Sequence, residues 1–170
     1  PPPPPPPHLF FLAEVCLRDS VSARVLGYFY KRQKRDVTQF EGAAEAWRQV
    51  YDRAKVDVHD LDLAEIHDCF TIAELLIYEA MGLAKRGRGA DVIANEISTK
   101  SGKLPVNPSG GLKSKGHPIG ATGVSMHVMA AMQTRGDAGP LQIDGAEIAG
   151  VFNMGGSGVA NYASILEAVR

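Results

Sequence analysis

Three short segments of the chain hold side chains that can do chemistry. The first is His67-Asp68-Cys69-Phe70. An imidazole here can hydrogen-bond a carbonyl oxygen. A thiol two residues on, at the start of a helix, is where the helix dipole favours the thiolate. The other reading is a satisfied histidine beside a buried thiol. The second segment is Gly110-Gly111-Leu112-Lys113-Ser114-Lys115-Gly116-His117-Pro118-Ile119-Gly120. Its glycines permit unusual backbone angles, and Pro118 suits a first helical turn. His117 is thereby expected at a helix start, on the kind of rigid mount a general base needs. Lys113 and Lys115 can meet the phosphates of a ligand. A plain helix cap is the alternative. The third is Asn153-Met154-Gly155-Gly156-Ser157-Gly158, whose N–H groups, gathered in a tight turn, can make a nest for an oxyanion. A plain hairpin turn would look the same.

The elements that must position these groups follow from periodicity. Phe10 to Leu17 is apolar and fits either a strand or a short helix. Ala23 to Tyr30 is rich in β-formers and reads as a strand. Thr38 with Glu41 has the spacing of a capping box. Phe40, Ala43, Ala44, Trp47, Val50, Tyr51 and Ala54 then recur at helical spacing, with Trp47 a core anchor. Leu61 to His67 reads as a strand that enters the first site. Thr71 to Met81 reads as a helix ended by Gly82. Gly87 to Gly116 has no sustained period and reads as a long functional loop. Ile119 to Thr134 reads as a helix whose small residues allow close packing. Glu147 to Phe152 and Val159 to Leu166 read as two antiparallel strands joined by the glycine turn. The alternation β-α-β-α-loop-α-β-β predicts a layered α/β domain with a sheet covered on both faces.

Composition bounds the function. Hydrophobic residues make up 45% of the 170, enough for a core, and the formal net charge of −1 provides no field for nucleic acid or an anionic membrane. The basic run Lys31, Arg32, Lys34, Arg35 reads as a solvated turn. Cys16 and Cys69 lack metal-binding spacing, so no metal is expected. They are two thiols or one disulfide, and the composition reads as intracellular, where thiols stay reduced; Ala168-Val169-Arg170 is not a peroxisomal Ser-Lys-Leu signal, so a cytoplasmic home is expected. No apolar run reaches the ~20 residues of a membrane helix. Pro1 to Pro7 would form polyproline II, and residues 1–9 are set aside from the fold.

In this order and at these separations, the three motifs resemble the thiolase superfamily. His67-Asp68-Cys69-Phe70 looks like the form of one family loop found in sterol-carrier-type and archaeal thiolases. Gly116-His117-Pro118, extended by Ile119-Gly120-Ala121-Thr122-Gly123, is similar to the family's Gly-His-Pro motif. The segment from Asn153 stands where most thiolases carry Cys-x-Gly. The resemblance implies that residues 10–170 are the C-terminal half of such an enzyme, a five-stranded sheet with helices on both faces. It implies coenzyme A or acyl-CoA as substrate and no covalently bound cofactor. It also implies roles. His117 would activate a cysteine of the N-terminal half and, with His67, receive the thioester oxygen. Gly155, in the turn with Gly156, would supply an amide to a second oxyanion hole. Asn153 cannot do the acid/base work of the cysteine it replaces, which nominates Cys69. The implied partners are the N-terminal half, further copies of the enzyme and a small acyl-CoA-binding subunit. No Cys-x-Ser nucleophile motif is present, since Cys16 is followed by Leu17 and Arg18. A non-catalytic scaffold or acyl-CoA-binding subunit, or part of a steroid side-chain retro-aldolase, are the competing readings.

Overall fold

The computed structural model describes residues 36, 38–156 and 158–168. The segments Phe10 to Leu17 and Ala23 to Tyr30, the proline run, Cys16 and the basic run at residues 31–35 lie outside the described residues. The chain divides into two units, Pro1–Val37 and Thr38–Arg170, and all the elements below belong to the second.

In chain order these are α1 (Glu41–Ala54), β1 (Leu63–Ile66), α2 (Thr71–Ala80), α3 (Gly89–Ala94), α4 (Gly111–Lys115), α5 (Thr122–Arg135), a 3₁₀ turn (Gly139–Leu141), β2 (Ile148–Gly155) and β3 (Ala160–Glu167). Among the described residues the sheet has three strands in the order β1-β2-β3. β1 runs parallel to β2, with Ala64 opposite Gly150. β2 runs antiparallel to β3, with Phe152 opposite Ala163. The free edge of β1 is not bare. Ala64 N–H donates to the Pro105 carbonyl at 2.9 Å, Asn107 N–H donates to the Ala64 carbonyl at 2.7 Å, and Val106 makes a parallel bridge to Ala64. Part of the expected long loop thus serves the sheet, as do α3 and α4, which fall inside it.

Side chains alternate across a strand, so each face of the sheet gathers its own core. Ala64, Ile66, Phe152 and Met154 face α1 and α2, with Trp47, Ile77 and Tyr78. Leu63, Ala149 and Val151 face α4 and α5, with Leu112, Met126 and Ala130. The expected α/β layering, with helices on both faces, is therefore present, and every residue of β1 is buried.

Trp47 is the anchor its spacing suggested. It is 1% exposed and stacks on Tyr51 and Phe152 with ring centroids 5.2 Å and 5.9 Å away. Trp47→Ala is expected to cost about 3–5 kcal/mol, mostly through the cavity left behind. Urea unfolding monitored by circular dichroism checks this. A loss under about 1 kcal/mol would mean that the helix is held elsewhere.

Several boundaries move. Thr38 is not the N-cap of α1. Phe40 stands there without a side-chain cap, and the Thr38 hydroxyl accepts from Arg86 at 3.2 Å. Ala44 and Ala54 turn out to be exposed. α2 and its following Gly82 fall as expected, with Met81 as C-cap. α5 begins at Thr122 rather than Ile119. β2 continues through Asn153, Met154 and Gly155, so these residues pair with Tyr162, Asn161 and Ala160 instead of forming a turn.

Candidate functional site

β1 and β2 lie side by side and in parallel, so their C-terminal ends open at the same edge of the sheet. This is where ligands meet an α/β sheet. His67 leaves β1 at this edge, and Asn153 sits near the end of β2. Their side chains meet: His67 Nδ1 is 2.6 Å from Asn153 Oδ1. The contact fixes the ring through Nδ1 and leaves Nε2 outside it. The contact has little room to shift. Gly123 of α5 backs Asn153 so closely that a Cβ there would come within 2.8 Å of the Asn153 amide nitrogen.

His117 approaches from the other side. Its ring stands edge-on to His67, at a centroid distance of 4.8 Å and an interplanar angle of 86°. His117 does not sit on a helix start. Gly120, with φ of +78°, holds the chain in the left-handed region and delays α5 to Thr122. The mount is instead a side chain. Buried Thr122 donates its hydroxyl to the Pro118 carbonyl at 3.2 Å, and the same oxygen shares a hydrogen bond with His117 Nδ1 at 2.7 Å. Thr122 therefore orients the His117 ring through Nδ1 and leaves Nε2 outside that contact, as in a general base whose orienting partner is in place. Thr122 occurs in the sequence motif, but nothing in its spacing pointed to this role.

Two buried carboxylates tie the His117 loop to the sheet. The first is Glu65 on β1, which is fully buried. One of its oxygens accepts from Ser109 N–H at 3.1 Å. The other accepts from the Ser109 hydroxyl at 2.6 Å and faces the Lys115 ammonium at 3.3 Å. Lys115 also donates to Ser109 Oγ at 2.7 Å. The second carboxylate is Asp68, which accepts from Leu112 N–H at 2.7 Å and lies flat against Gly111. A Cβ on Gly111 would come within 2.3 Å of the Asp68 oxygen, and its φ of +66° disfavours a side chain in any case. Lys113 pairs with Glu74 and lies 3.8 Å from Asp68. The lysines expected to face a phosphate are thus turned toward carboxylates, and each helps to hold the loop.

Beside the two histidines lies an open cleft of about 1070 Å³. Its walls include Val124, Val128 and His127 of α5 and Tyr162 and Ser164 of β3. Its mouth includes Ile119, Asn153, Gly155 and Gly156. His127 binds α5 to the sheet: its Nδ1 faces the Gly123 carbonyl at 2.7 Å, and its Nε2 faces Ser164 Oγ at 3.0 Å. Ile119, Val124 and Tyr162 are strongly exposed for such large side chains. Cys69, Lys113 and Lys115 are not among the residues that line the cleft. Cys69 is a free, half-buried thiol packed against both cores.

Burial sets the protonation of the site. It pushes the His67 pKa below the ordinary histidine value. The Asn153 hydrogen bond works against this, and His117 reinforces it. Burial also pushes the Cys69 thiol up, and that overrides the backbone N–H groups of Phe70 and Cys69, which pull it down. The expected lowering at a helix start is therefore reversed: the resting Cys69 is a thiol. No helix among the described residues is long and apolar enough to cross a membrane.

Comparison with known proteins gives the family. Residues 28–168 match the family described as thiolase C-terminal domain-like. The chain is 40% identical over 137 residues to an acetyl-CoA acetyltransferase of Methanothermobacter thermautotrophicus, covering 81% of this chain and 36% of that protein. It is 45% identical over 116 residues to human sterol carrier protein 2, covering 68% of this chain and 21% of that protein. It is 36% identical over 115 residues to a benzoylsuccinyl-CoA thiolase subunit of Thauera aromatica, covering 68% and 30%. A solved structure titled Ltp2-ChsH2(DUF35) aldolase shares the fold, with a TM-score of 0.72 at 24% identity, covering 81% of this chain and 34% of that one. The chain spans little more than a third, or less, of these relatives. The chain belongs to the thiolase superfamily, to which residues 28–168 match as a thiolase C-terminal domain-like part.

Proposed function

We propose that this chain is the C-terminal half of an acyl-CoA acyltransferase that makes or cleaves carbon–carbon bonds through an acyl-cysteine. The observation that carries the reading is His117, oriented by Thr122 through Nδ1 and edge-on to His67 beside an open cleft. In this reading the nucleophilic cysteine comes from an N-terminal half seated against α5. His117 Nε2 takes the proton of that thiol. The thiolate attacks the acyl-CoA carbonyl, and coenzyme A leaves with the proton. In the acyl-enzyme, His117 and His67 face the thioester oxygen, while Gly155 offers its amide to a second oxyanion. Cys69 moves the proton at the substrate α-carbon. Its thiol is two residues beyond His67, and burial keeps it protonated at rest.

The exposed Ile119, Val124 and Tyr162 support a covered face, since apolar patches of this kind mark a partner surface. Lys113 and Lys115, on the loop before His117 and paired with Glu74 and Glu65, are the proposed contacts for the phosphates of coenzyme A. Further copies of the enzyme and a small acyl-CoA-binding subunit complete the proposed assembly. A scaffold would have no need of two imidazoles, each oriented through Nδ1, meeting edge-on at one cleft, which is why the enzymatic reading is preferred.

The test compares this chain with the full-length protein in CoA-dependent cleavage of acetoacetyl-CoA. Activity is expected in the full-length protein, which should carry a Cys-x-Ser segment about 200 residues upstream, room for a second domain. None is expected in the chain alone. Robust cleavage by the chain alone would refute the need for an outside nucleophile. An inactive full-length protein without that segment would favour the scaffold.

A further inference from the structure

We infer that Asn107 is a positioning residue for the histidine pair: its side chain takes the place of a neighbouring strand at the end of β1 and so fixes the point from which His67 leaves the sheet. The inference deepens the proposed function and rests on it. Asn107 lies in the long segment from Gly87, where the sequence singled out no residue before Gly110. The structure shows what an asparagine does there. Along the free edge of β1, Ala64 N–H donates to the Pro105 carbonyl and Asn107 N–H donates back to the Ala64 carbonyl. The next donor on this edge is Ile66 N–H. The backbone that should meet it has turned away, because Gly110 N–H closes a turn onto the Asn107 carbonyl at 2.9 Å. The Asn107 side chain supplies the acceptor instead, with Oδ1 2.7 Å from Ile66 N. A backbone N–H only donates, so the amide can face it only through its oxygen.

Further observations point to the same use. Asn107 has a φ of +52° although it precedes a proline, and a residue before proline ordinarily takes extended angles. The other described non-glycine residues with positive φ, Lys55 and Glu96, each follow a helix end, where such angles are common. Asn107 follows no helix, and asparagine tolerates this region better than most residues do. Its Nδ2 is buried and has no hydrogen-bond partner among the described residues, so the side chain serves there through its oxygen. Two residues on, Ser109 binds Glu65 through both its N–H and its hydroxyl. Asn107 and Ser109 therefore grip Glu65 and Ile66, where β1 ends, from one short strap. His67 follows Ile66 directly, and the strap runs on through Gly110 and Gly111 to the loop that carries His117. It thus joins the root of one histidine to the root of the other, and their ring centroids lie 4.8 Å apart. A catalytic group misplaced by about 1 Å can cost on the order of 10²-fold in rate. Loss of the Asn107 acceptor frees Ile66 N–H and lets the His67 loop shift against His117 without unfolding the sheet.

The experiment uses the full-length protein as wild type, Asn107→Gly and Asn107→Asp. Hydrogen exchange resolved to single amides reads Ile66, and steady-state cleavage of acetoacetyl-CoA reads the site. Asn107→Gly keeps the positive φ and removes the acceptor, whereas Asn107→Asp keeps both. Ile66 N–H is expected to be protected in the wild type, to exchange ~10-fold faster or more in Asn107→Gly, and to be protected again in Asn107→Asp. Ala64 N–H, bonded to Pro105, should keep its protection in all three. In Asn107→Gly, kcat should fall ~10- to 100-fold with little change in KM, and Asn107→Asp should recover most of it. An unprotected Ile66 N–H in the wild type would overturn the inference, whatever the variants do. So would a wild-type kcat in Asn107→Gly, or an Asn107→Asp enzyme no better than Asn107→Gly. Equal loss of protection at Ala64 and Ile66 would also overturn it, since that marks a general loosening of the edge. An inactive wild type would refute the proposed reaction, while the Ile66 result still decides the inference, so the two failures are distinguishable.

Discussion

Replacing His117 with Ala in the full-length protein should abolish acylation of the nucleophile, with kcat/KM down about 10³- to 10⁴-fold. That is the upper part of the range for a general base that also supplies an oxyanion contact. The argument starts from geometry. Thr122 commits Nδ1, so Nε2 is the one basic atom that His117 offers. The segment leading to His117 is held, because Glu65 and Asp68 clamp it to the sheet through Ser109, Lys115 and Leu112. A thiol with a free pKa of about 8.5 is only a few per cent ionised at neutrality, so loss of its base leaves a weak nucleophile. The defect should shrink as pH rises toward the pKa of the thiol, where ionisation no longer needs help. Burst kinetics with an activated thioester across that range check it. A burst as fast as the wild type's would mean that the proton goes elsewhere.

The second large effect is expected at Cys69. Cys69→Ala should lower carbon–carbon condensation by about 10²- to 10⁴-fold, the usual loss for a general acid/base. It should leave the acylation burst intact, because no proton at the α-carbon is needed before the covalent intermediate. Burial keeps the thiol protonated, so the wild-type condensation rate should still be climbing at a pH where an unshifted cysteine would already be largely ionised. Condensation is followed by the loss of acetyl-CoA, and acylation by the release of coenzyme A. Full condensation activity in the variant would make Cys69 a packing residue between the two cores. Tyr78 would be a poor replacement. Burial and Glu74 push its hydroxyl far above neutral pH, and it already donates to Glu74 at 2.7 Å.

Some of this was legible from residue order alone. Trp47 announced its burial by helical spacing, and β1, α2 and the β2-β3 pair followed from period and glycine punctuation. The histidines, 50 positions apart in the chain, were singled out by their neighbours and do meet. What was not legible depends on partners distant in sequence. Pro118 fits a first helical turn by every local rule, yet Gly120 adopts a positive φ and the helix waits for Thr122. Asn153 has the composition of a turn. It stays in the strand because the ladder to β3 continues, and its amide then reaches His67, 86 positions earlier. The ion pairs of Lys113 with Glu74 and of Lys115 with Glu65 were not legible either, because each joins residues 39 and 50 positions apart. The pKa of Cys69 was misjudged for the same reason: a helix start is visible in sequence, whereas burial between two cores is not.

The central claim is that His117 acts before a covalent acyl-enzyme forms and Cys69 acts after it. The most direct measurement is the intact mass of the full-length protein, quenched in acid seconds after mixing with acetyl-CoA, for the wild type, Cys69→Ala and His117→Ala. The account predicts one acetyl adduct in the wild type and in Cys69→Ala, located by digestion in the upstream half, and little or none in His117→Ala. An adduct of equal yield in His117→Ala, or an adduct on Cys69 itself, would contradict it.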